Sequence, residues 1–209
     1  MKKKKGISLV LIVLIVLGTI ILGGKLLNRK DGKNKLANLY EELNASQTYL
    51  FEMEQSDKNK TIMAQKGDQT IIDEYSNDNH TTTIVKNNNT YFILHNREEY
   101  YFYEQNNVEQ NILIDGIGEV VQKDFITGTD KVKGKKYDYE EYNGSTMFMI
   151  SNTVETNEED IKTRFYFDKE DNLVYIQTIK GAKQELLKVN IQKEVDDSIF
   201  EIPSNYAEN

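Results

Sequence analysis

Residues with obvious chemical reactivity are scarce in this 209-residue chain, and their types exclude several kinds of site. The absence of cysteine excludes disulfides, thiol catalysis and thiolate metal sites. The only two histidines, His80 and His95, fall in different predicted strands, and two histidines are too few for a His-rich zinc site. The G-x-S-x-G, G-x-G-x-x-G and G-x-x-x-x-G-K-[ST] motifs are also missing. We therefore predict a non-catalytic protein with no catalytic residue, no metal site and no cofactor.

Carboxylates cluster in two places along the chain. Asp138, Glu140 and Glu141 form the first cluster, and residues 155–160 form the second. A calcium loop needs oxygen ligands at graded spacing around a glycine, and neither cluster has that arrangement. No feature singles out a pair of carboxylates of the kind that glycosidases use. We expect both clusters to be solvated surface charge.

Aromatic residues are the other candidates for a binding site. Thirteen tyrosines and eight phenylalanines, without tryptophan, indicate a β-rich core. Their spacing at every second residue fits the core face of a sheet, but it also fits the wall of a cavity for an apolar ligand. The sequence leaves both interpretations open. The candidate lining residues are Tyr49, Phe51, Met53, Tyr91, Ile93, Tyr101, Tyr103, Ile112, Leu113, Ile117, Val120, Val121, Phe165 and Phe167.

Short strands must position these side chains. Alternating apolar and polar residues predict about eleven strands, separated by Asn, Asp, Gly and Ser turns, as is typical of an antiparallel meander. Asn143-Gly144 is a strong hairpin signal between two of the segments. The segments that carry the pattern are residues 49–54, 60–66, 69–75, 81–86, 90–95, 99–104, 124–129, 135–142, 146–151, 163–168, 172–179 and 184–195.

Two segments have helical periodicity instead. Leucines at helical spacing predict an amphipathic helix over residues 34–46. Apolar residues on one helical face predict a helix or helical loop over residues 108–123, where Gly116 and Gly118 each weaken the helix by about 1 kcal/mol. Residues 108–121 fit plain core packing, and they also fit a lid that opens for a ligand.

An apolar run precedes these elements. A helix over residues 7–24 would be about 27 Å long, close to the hydrocarbon thickness of a bilayer. A cleaved signal peptide is the alternative, but its cleavage site would place Ile or Leu where a small residue is needed. We predict an uncleaved, single-pass transmembrane anchor at the cell membrane. The predicted parts are a basic cytoplasmic tail (1–6), the anchor (7–24), a linker (25–33) and a domain outside the membrane (34–209).

The charge of the domain limits its partners. Residues 31–209 hold 19 basic and 34 acidic side chains, a net charge of −15. Such a domain repels nucleic acid and anionic headgroups. We therefore expect no nucleic-acid binding, and contact with the bilayer only through the anchor.

The end of the chain carries the main family signal. Its residues Asp197, Phe200, Ile202, Pro203 and Tyr206 resemble the closing motif of the LolA-like superfamily, the extracytoplasmic lipoprotein-carrier fold. Gly134, Lys135 and Tyr137 are similar to a strand of that family, and residues 165–176 to one of its hairpins. The resemblance implies a mainly β (α+β) fold: a strongly curved antiparallel sheet, or unclosed β-barrel, with an N-terminal helix and a helical lid segment against its concave face.

The resemblance also implies a function. Members of that fold bind acyl chains or other greasy ligands, or sense them. We therefore expect a membrane-anchored domain of the bacterial cell envelope that binds a lipid, an acyl chain or a lipoprotein. The alternative is a protein-interaction or envelope-sensing module with a closed core and no ligand.

Overall fold

The computed structural model describes residues 34–104, 112–144 and 161–209. The anchor predicted over residues 7–24, the strand predicted over 146–151 and the acidic residues 155–160 lie outside these ranges. Within the ranges, no helix has both the length and the apolar character needed to cross a membrane.

One open, curved sheet of twelve strands makes up most of the domain. The strand order is β12-β6-β5-β4-β3-β2-β1-β11-β10-β9-β8-β7, so β1 and β11 pair where two meanders meet. The strands are β1 (Thr48–Ser56), β2 (Asn59–Lys66), β3 (Gln69–Ser76), β4 (Asn79–Lys86), β5 (Asn89–Leu94), β6 (Glu99–Glu104), β7 (Phe125–Val132), β8 (Lys135–Asn143), β9 (Ile161–Phe167), β10 (Leu173–Lys180), β11 (Lys183–Gln192) and β12 (Ala207–Glu208).

The prediction of a mainly β, curved and unclosed sheet is confirmed, with two corrections. The sheet is mixed, because β12 runs parallel to the edge strand β6, where the Ala207 N–H donates to the Glu98 carbonyl. The hairpin predicted at Asn143-Gly144 is wrong. Strand β8 already pairs with β7 on one edge and with β9 on the other, so no edge is left for a hairpin partner.

Helix α1 spans Lys35–Ser46 and confirms the prediction over residues 34–46. The Asn34 side chain begins it by accepting the Ala37 N–H at 2.7 Å. Gln47 ends it in the left-handed conformation, φ 50°, and its N–H donates to the Leu43 carbonyl.

Helix α2 spans Ile112–Val120, within the segment predicted to be helical. Gly118 lies against the Tyr40 ring of α1, where an added Cβ would come within 3.0 Å of the ring. This glycine therefore allows close approach of the two helices.

The two faces of the sheet carry separate hydrophobic clusters. Phe51 in β1 belongs to the larger cluster, beneath α1 and α2, on what we call the helix face. Leu50, its neighbour, packs against the second cluster on the opposite face, with Val195 and Phe200 of the C-terminal segment (residues 195–206). Two lysine ammonium groups help to hold this segment: Lys66 donates to the Val195 carbonyl and Lys86 to the Phe200 carbonyl.

Candidate functional site

Most of the predicted lining residues meet in one place, the larger cluster of the helix face. Val121 lies half-buried at its margin, and Ile112 is the first residue of α2. The fully buried members are Tyr49, Phe51, Met53, Leu113, Ile117, Val120, Phe165 and Phe167. These eight side chains are packed against one another and against α1, so they form core in this structure.

Two predicted lining residues lie on the other face of the sheet. Ile93 is buried in the second cluster, and Tyr91 packs against it. Strand register explains the separation, because residues that pair across neighbouring strands have side chains on the same face. Tyr91 pairs with Ile84, and Ile84 pairs with Ile71. These residues belong to the second cluster, on the face that Leu50 occupies. The structure therefore does not bring Tyr91 and Ile93 together with Phe51.

The helix face continues beyond the helices as a row of side chains that are apolar except for Thr83 at its centre. In this row, Met63 pairs with Ile72, Ile72 with Thr83, Thr83 with Phe92, and Phe92 with Tyr101. All five are half-buried, and Met63 contacts the larger cluster. We call Met63, Ile72, Phe92 and Tyr101 the apolar row.

The apolar row ends at β6, where exposure to solvent is greater among the described residues. Tyr103, a predicted lining residue beside Tyr101 on β6, is 52% exposed. At a strand spacing of about 4.8 Å, the row runs for about 19 Å from β2 to β6. The Thr90 Oγ1 atom, next to the row on β5, is buried and has no hydrogen-bond partner among the described residues.

The carboxylates of β8 do not behave as solvated charge, so that expectation is wrong for two of the three. Glu140 is buried on the helix face and accepts the Lys35 N–H at 2.6 Å and the Leu36 N–H at 3.2 Å, at the start of α1. Burial raises the pKa of Glu140, although these donors oppose the shift. Asp138 remains exposed and pairs with the Lys35 ammonium at 3.0 Å.

Glu141, the next residue, is buried on the opposite face. It receives Arg164 Nε at 2.7 Å and Lys162 Nζ at 3.0 Å. Burial alone would raise its pKa, but the hydrogen bonds and charges of these two cations hold the pKa of Glu141 below its ordinary value. The two adjacent glutamates therefore have structural roles in different places.

Both histidines of the chain lie together in a polar cluster on the face that carries the C-terminal segment. His80 Nε2 lies 2.8 Å from Asp73 Oδ1, and the Thr82 hydroxyl also donates to that oxygen. Thr82 Oγ1 lies 2.7 Å from His95 Nε2, and His95 Nδ1 lies 3.0 Å from the Tyr206 hydroxyl. We call these five residues the histidine cluster.

Rings stack across the histidine cluster. The His80 and His95 rings have centroids 3.6 Å apart and planes within 7°, and Tyr75 stacks on the other side of His80 at 4.0 Å. Burial lowers the pKa of His95, and the neighbouring His80 lowers it further, against a smaller opposite effect of Asp73. Burial, together with the Asp73 charge, raises the pKa of Tyr75 to about 12. Burial therefore favours the neutral forms of His95 and Tyr75.

The histidine cluster was not predicted from the sequence, although the turns on both sides of β4 indicate it. Two-residue turns at Asn77-Asp78 and Asn87-Asn88 fix the pairing on both sides of β4. In the β3–β4 pairing, Tyr75 lies opposite His80. In the β4–β5 pairing, Thr81 lies opposite Leu94, so the next residues along, His80 and His95, also lie opposite each other. Counting residues outward from the two turns would have placed both histidines side by side.

Comparisons with known proteins add little to this geometry. No family model matches the chain. No curated protein matches it. Among solved structures, it is similar to the crystal structure of an uncharacterized conserved protein from Thermus thermophilus, with 8% identity over 84% of this chain and 96% of that one, and a TM-score of 0.47. The function must therefore be argued from the geometry and the sequence.

Proposed function

We propose that the domain is a non-catalytic binding module of the bacterial cell envelope, which holds an acyl chain of a lipid or lipoprotein on the helix face of its sheet. The apolar row is the observation that carries this proposal. It continues the core outward without a charged side chain, and it is only half-buried in the structure. The resemblance of the closing segment to LolA-like proteins supports the same function.

The binding energy would come from covering the apolar row. Removing apolar surface from water contributes about 25 cal/mol per Å². A flexible acyl chain laid along Met63, Ile72, Phe92 and Tyr101 would bury both its own surface and theirs. Phe51, which pairs with Met63 at the start of the row, and Ile117 are fully buried in the core, so they would support the inner end of the row rather than contact the ligand.

A polar group of the ligand would find a partner beside the row. The buried Thr90 hydroxyl can both donate and accept, and it lacks a protein partner among the described residues. Leaving such a group unsatisfied costs about 1–3 kcal/mol. A carboxyl, ester or hydroxyl group near the end of an acyl chain would relieve that cost.

The predicted anchor would keep the module at its source of ligand. With residues 7–24 in the bilayer and the N-terminus in the cytoplasm, the domain would stand outside the membrane. A tethered module receives or senses acyl chains locally, whereas a soluble carrier ferries them across an envelope.

A photoreactive fatty acid tests the proposal in the full-length protein. The probe carries a diazirine on its chain, and cross-linked peptides are mapped by mass spectrometry. We expect cross-links in β2–β6, and we expect Phe92→Glu to reduce them strongly. Ile126→Glu is the matched control, because Ile126 is 60% exposed on β7, on the opposite face, beside Glu141. Cross-links confined to residues 7–24, or an equal yield from Phe92→Glu, would contradict the proposal.

A further inference from the structure

We propose that Asp73, His80 and His95 bind a divalent transition-metal ion of the zinc type. One ligand atom from each residue, a carboxylate oxygen or a ring nitrogen, lies within 4.8 Å of the other two. Two of these atoms, His80 Nε2 and Asp73 Oδ1, are only 2.8 Å apart. The three residues come from β3, β4 and the turn after β5, so the sheet itself brings them together.

The donor set indicates the class of metal. Two imidazoles and one carboxylate suit Zn²⁺ and similar ions, whereas Mg²⁺ and Ca²⁺ prefer oxygen ligands alone. Three protein ligands leave a further position open, as in zinc sites that bind water or another small ligand. All three residues are half-buried, so an ion can reach them from solvent.

The residues around the donors also fit a metal site. A ligating histidine usually donates its other ring N–H to a neighbouring group, which fixes the tautomer and the ring orientation. The Tyr206 hydroxyl lies 3.0 Å from His95 Nδ1 and provides that partner. Thr82 Oγ1, 2.7 Å from His95 Nε2, lies where the donors converge. The metal would take the place of the hydrogen bonds at both Nε2 atoms, and each neutral ring would then carry its proton at Nδ1.

Metal binding must change the ring stack, which gives the site a specific signature. A metal ion lies near the plane of each imidazole it binds, at about 2.1 Å from the nitrogen. Two parallel rings 3.6 Å apart cannot meet this condition at one point, so His80 and His95 must tilt out of their stack. The bound ion would tie the β3–β5 meander to the C-terminal segment through Tyr206.

The test uses the full-length protein purified without a polyhistidine tag. Zn²⁺ is titrated and followed by calorimetry and by NMR of the imidazole groups, which report on His80 and His95 alone because the chain has no other histidine. We expect saturation at one ion per chain, and large shifts at the Nε2 atoms of both rings. Tyr206→Phe should weaken binding by about tenfold or more.

Asp73→Asn tests the ligand set without changing the shape of the side chain. We expect it to abolish saturable binding, while Asp68→Asn, in the exposed β2–β3 turn, binds like the original protein. Absence of shifts at millimolar Zn²⁺, shifts in only one ring, or unchanged binding by Asp73→Asn would overturn the proposal. The site lies on the opposite face from the apolar row, so acyl-chain binding and metal binding are tested independently.

Discussion

Leu50 and Phe51 are consecutive residues of β1, and their side chains enter different hydrophobic clusters on opposite faces of the sheet. Phe51 is fully buried beneath the helices, while Leu50 is half-buried beside Ala64 and Ile71. Strands β1 and β2 contribute to both clusters. The helices and the C-terminal segment are therefore coupled through the middle of one sheet.

Truncation of these neighbours should have unequal costs. Phe51→Ala is expected to lower the free energy of unfolding by about 3–5 kcal/mol, because it leaves a cavity in packed core. Leu50→Ala should cost less, about 1–2 kcal/mol, since its side chain is only partly removed from water. Urea unfolding of both variants checks this. Equal losses would show that the two faces do not differ in packing.

The two glutamates of β8 should give opposite pH dependences. The pKa of Glu140 is raised above 4.5, so the native state binds its proton more tightly, and stability falls as pH rises from 4.5 through the raised pKa. The pKa of Glu141 is lowered below 4.5, so its contribution is present above pH 4.5 and is lost as pH falls through the lowered pKa.

Single amide substitutions separate these two effects. The free energy of unfolding is measured in urea from pH 3 to pH 7. Glu140→Gln should remove the loss of stability that occurs as pH rises, and Glu141→Gln should remove the loss of stability that occurs as pH falls. Glu140→Gln should also cost about 1–3 kcal/mol, because an NH2 group replaces one of the two oxygens that accept the Lys35 and Leu36 N–H groups. Identical pH profiles for the two variants would contradict the assignment.

Gly128 should tolerate substitution poorly. It pairs with Tyr139 across β7 and β8, and an added Cβ would come within 2.5 Å of the phenol ring. Gly128→Ala is expected to cost about 1–3 kcal/mol, because the ring must leave its place against Tyr166 and Arg164. In the double variant with Tyr139→Leu, thermal unfolding should show part of this loss restored. No restoration would mean that the glycine is needed for its backbone alone.

Thr90→Val separates stability from binding. Valine has nearly the same shape and removes a buried hydroxyl without a partner among the described residues. We expect the ligand-free protein to be about 1 kcal/mol more stable or unchanged, and the affinity for a fatty acid to fall. Thermal unfolding and a binding titration measure the two effects. A variant that loses stability and keeps full affinity would show that this hydroxyl does not contact the ligand.

Much of the fold could be predicted from local pattern. The Asn and Gly turns set strand boundaries in β1–β6, and leucine spacing located α1, because both signals act over a few residues. Local pattern gave a wrong prediction where pairing between distant strands determines the structure. Asn143-Gly144 is a good turn sequence, but β9 occupies the strand edge that a hairpin would use.

The candidate site was predictable only in part, for the same reason. Alternation identified which residues share a face within one strand, but not which face. Tyr91 was therefore grouped with Phe51, although register places it on the opposite face. Glu140 looked like solvated charge because its partners, the first N–H groups of α1, lie about a hundred residues earlier in the chain.

The apolar row can be probed directly, because the chain has no cysteine and single cysteines label uniquely. The measurement is the rate at which a maleimide reacts with Tyr101→Cys in the full-length protein, with and without palmitate. We expect a much slower reaction at Tyr101→Cys when palmitate is present, and an unchanged rate at the control, Ile126→Cys. Equal rates at Tyr101→Cys under both conditions would contradict acyl-chain binding on the helix face.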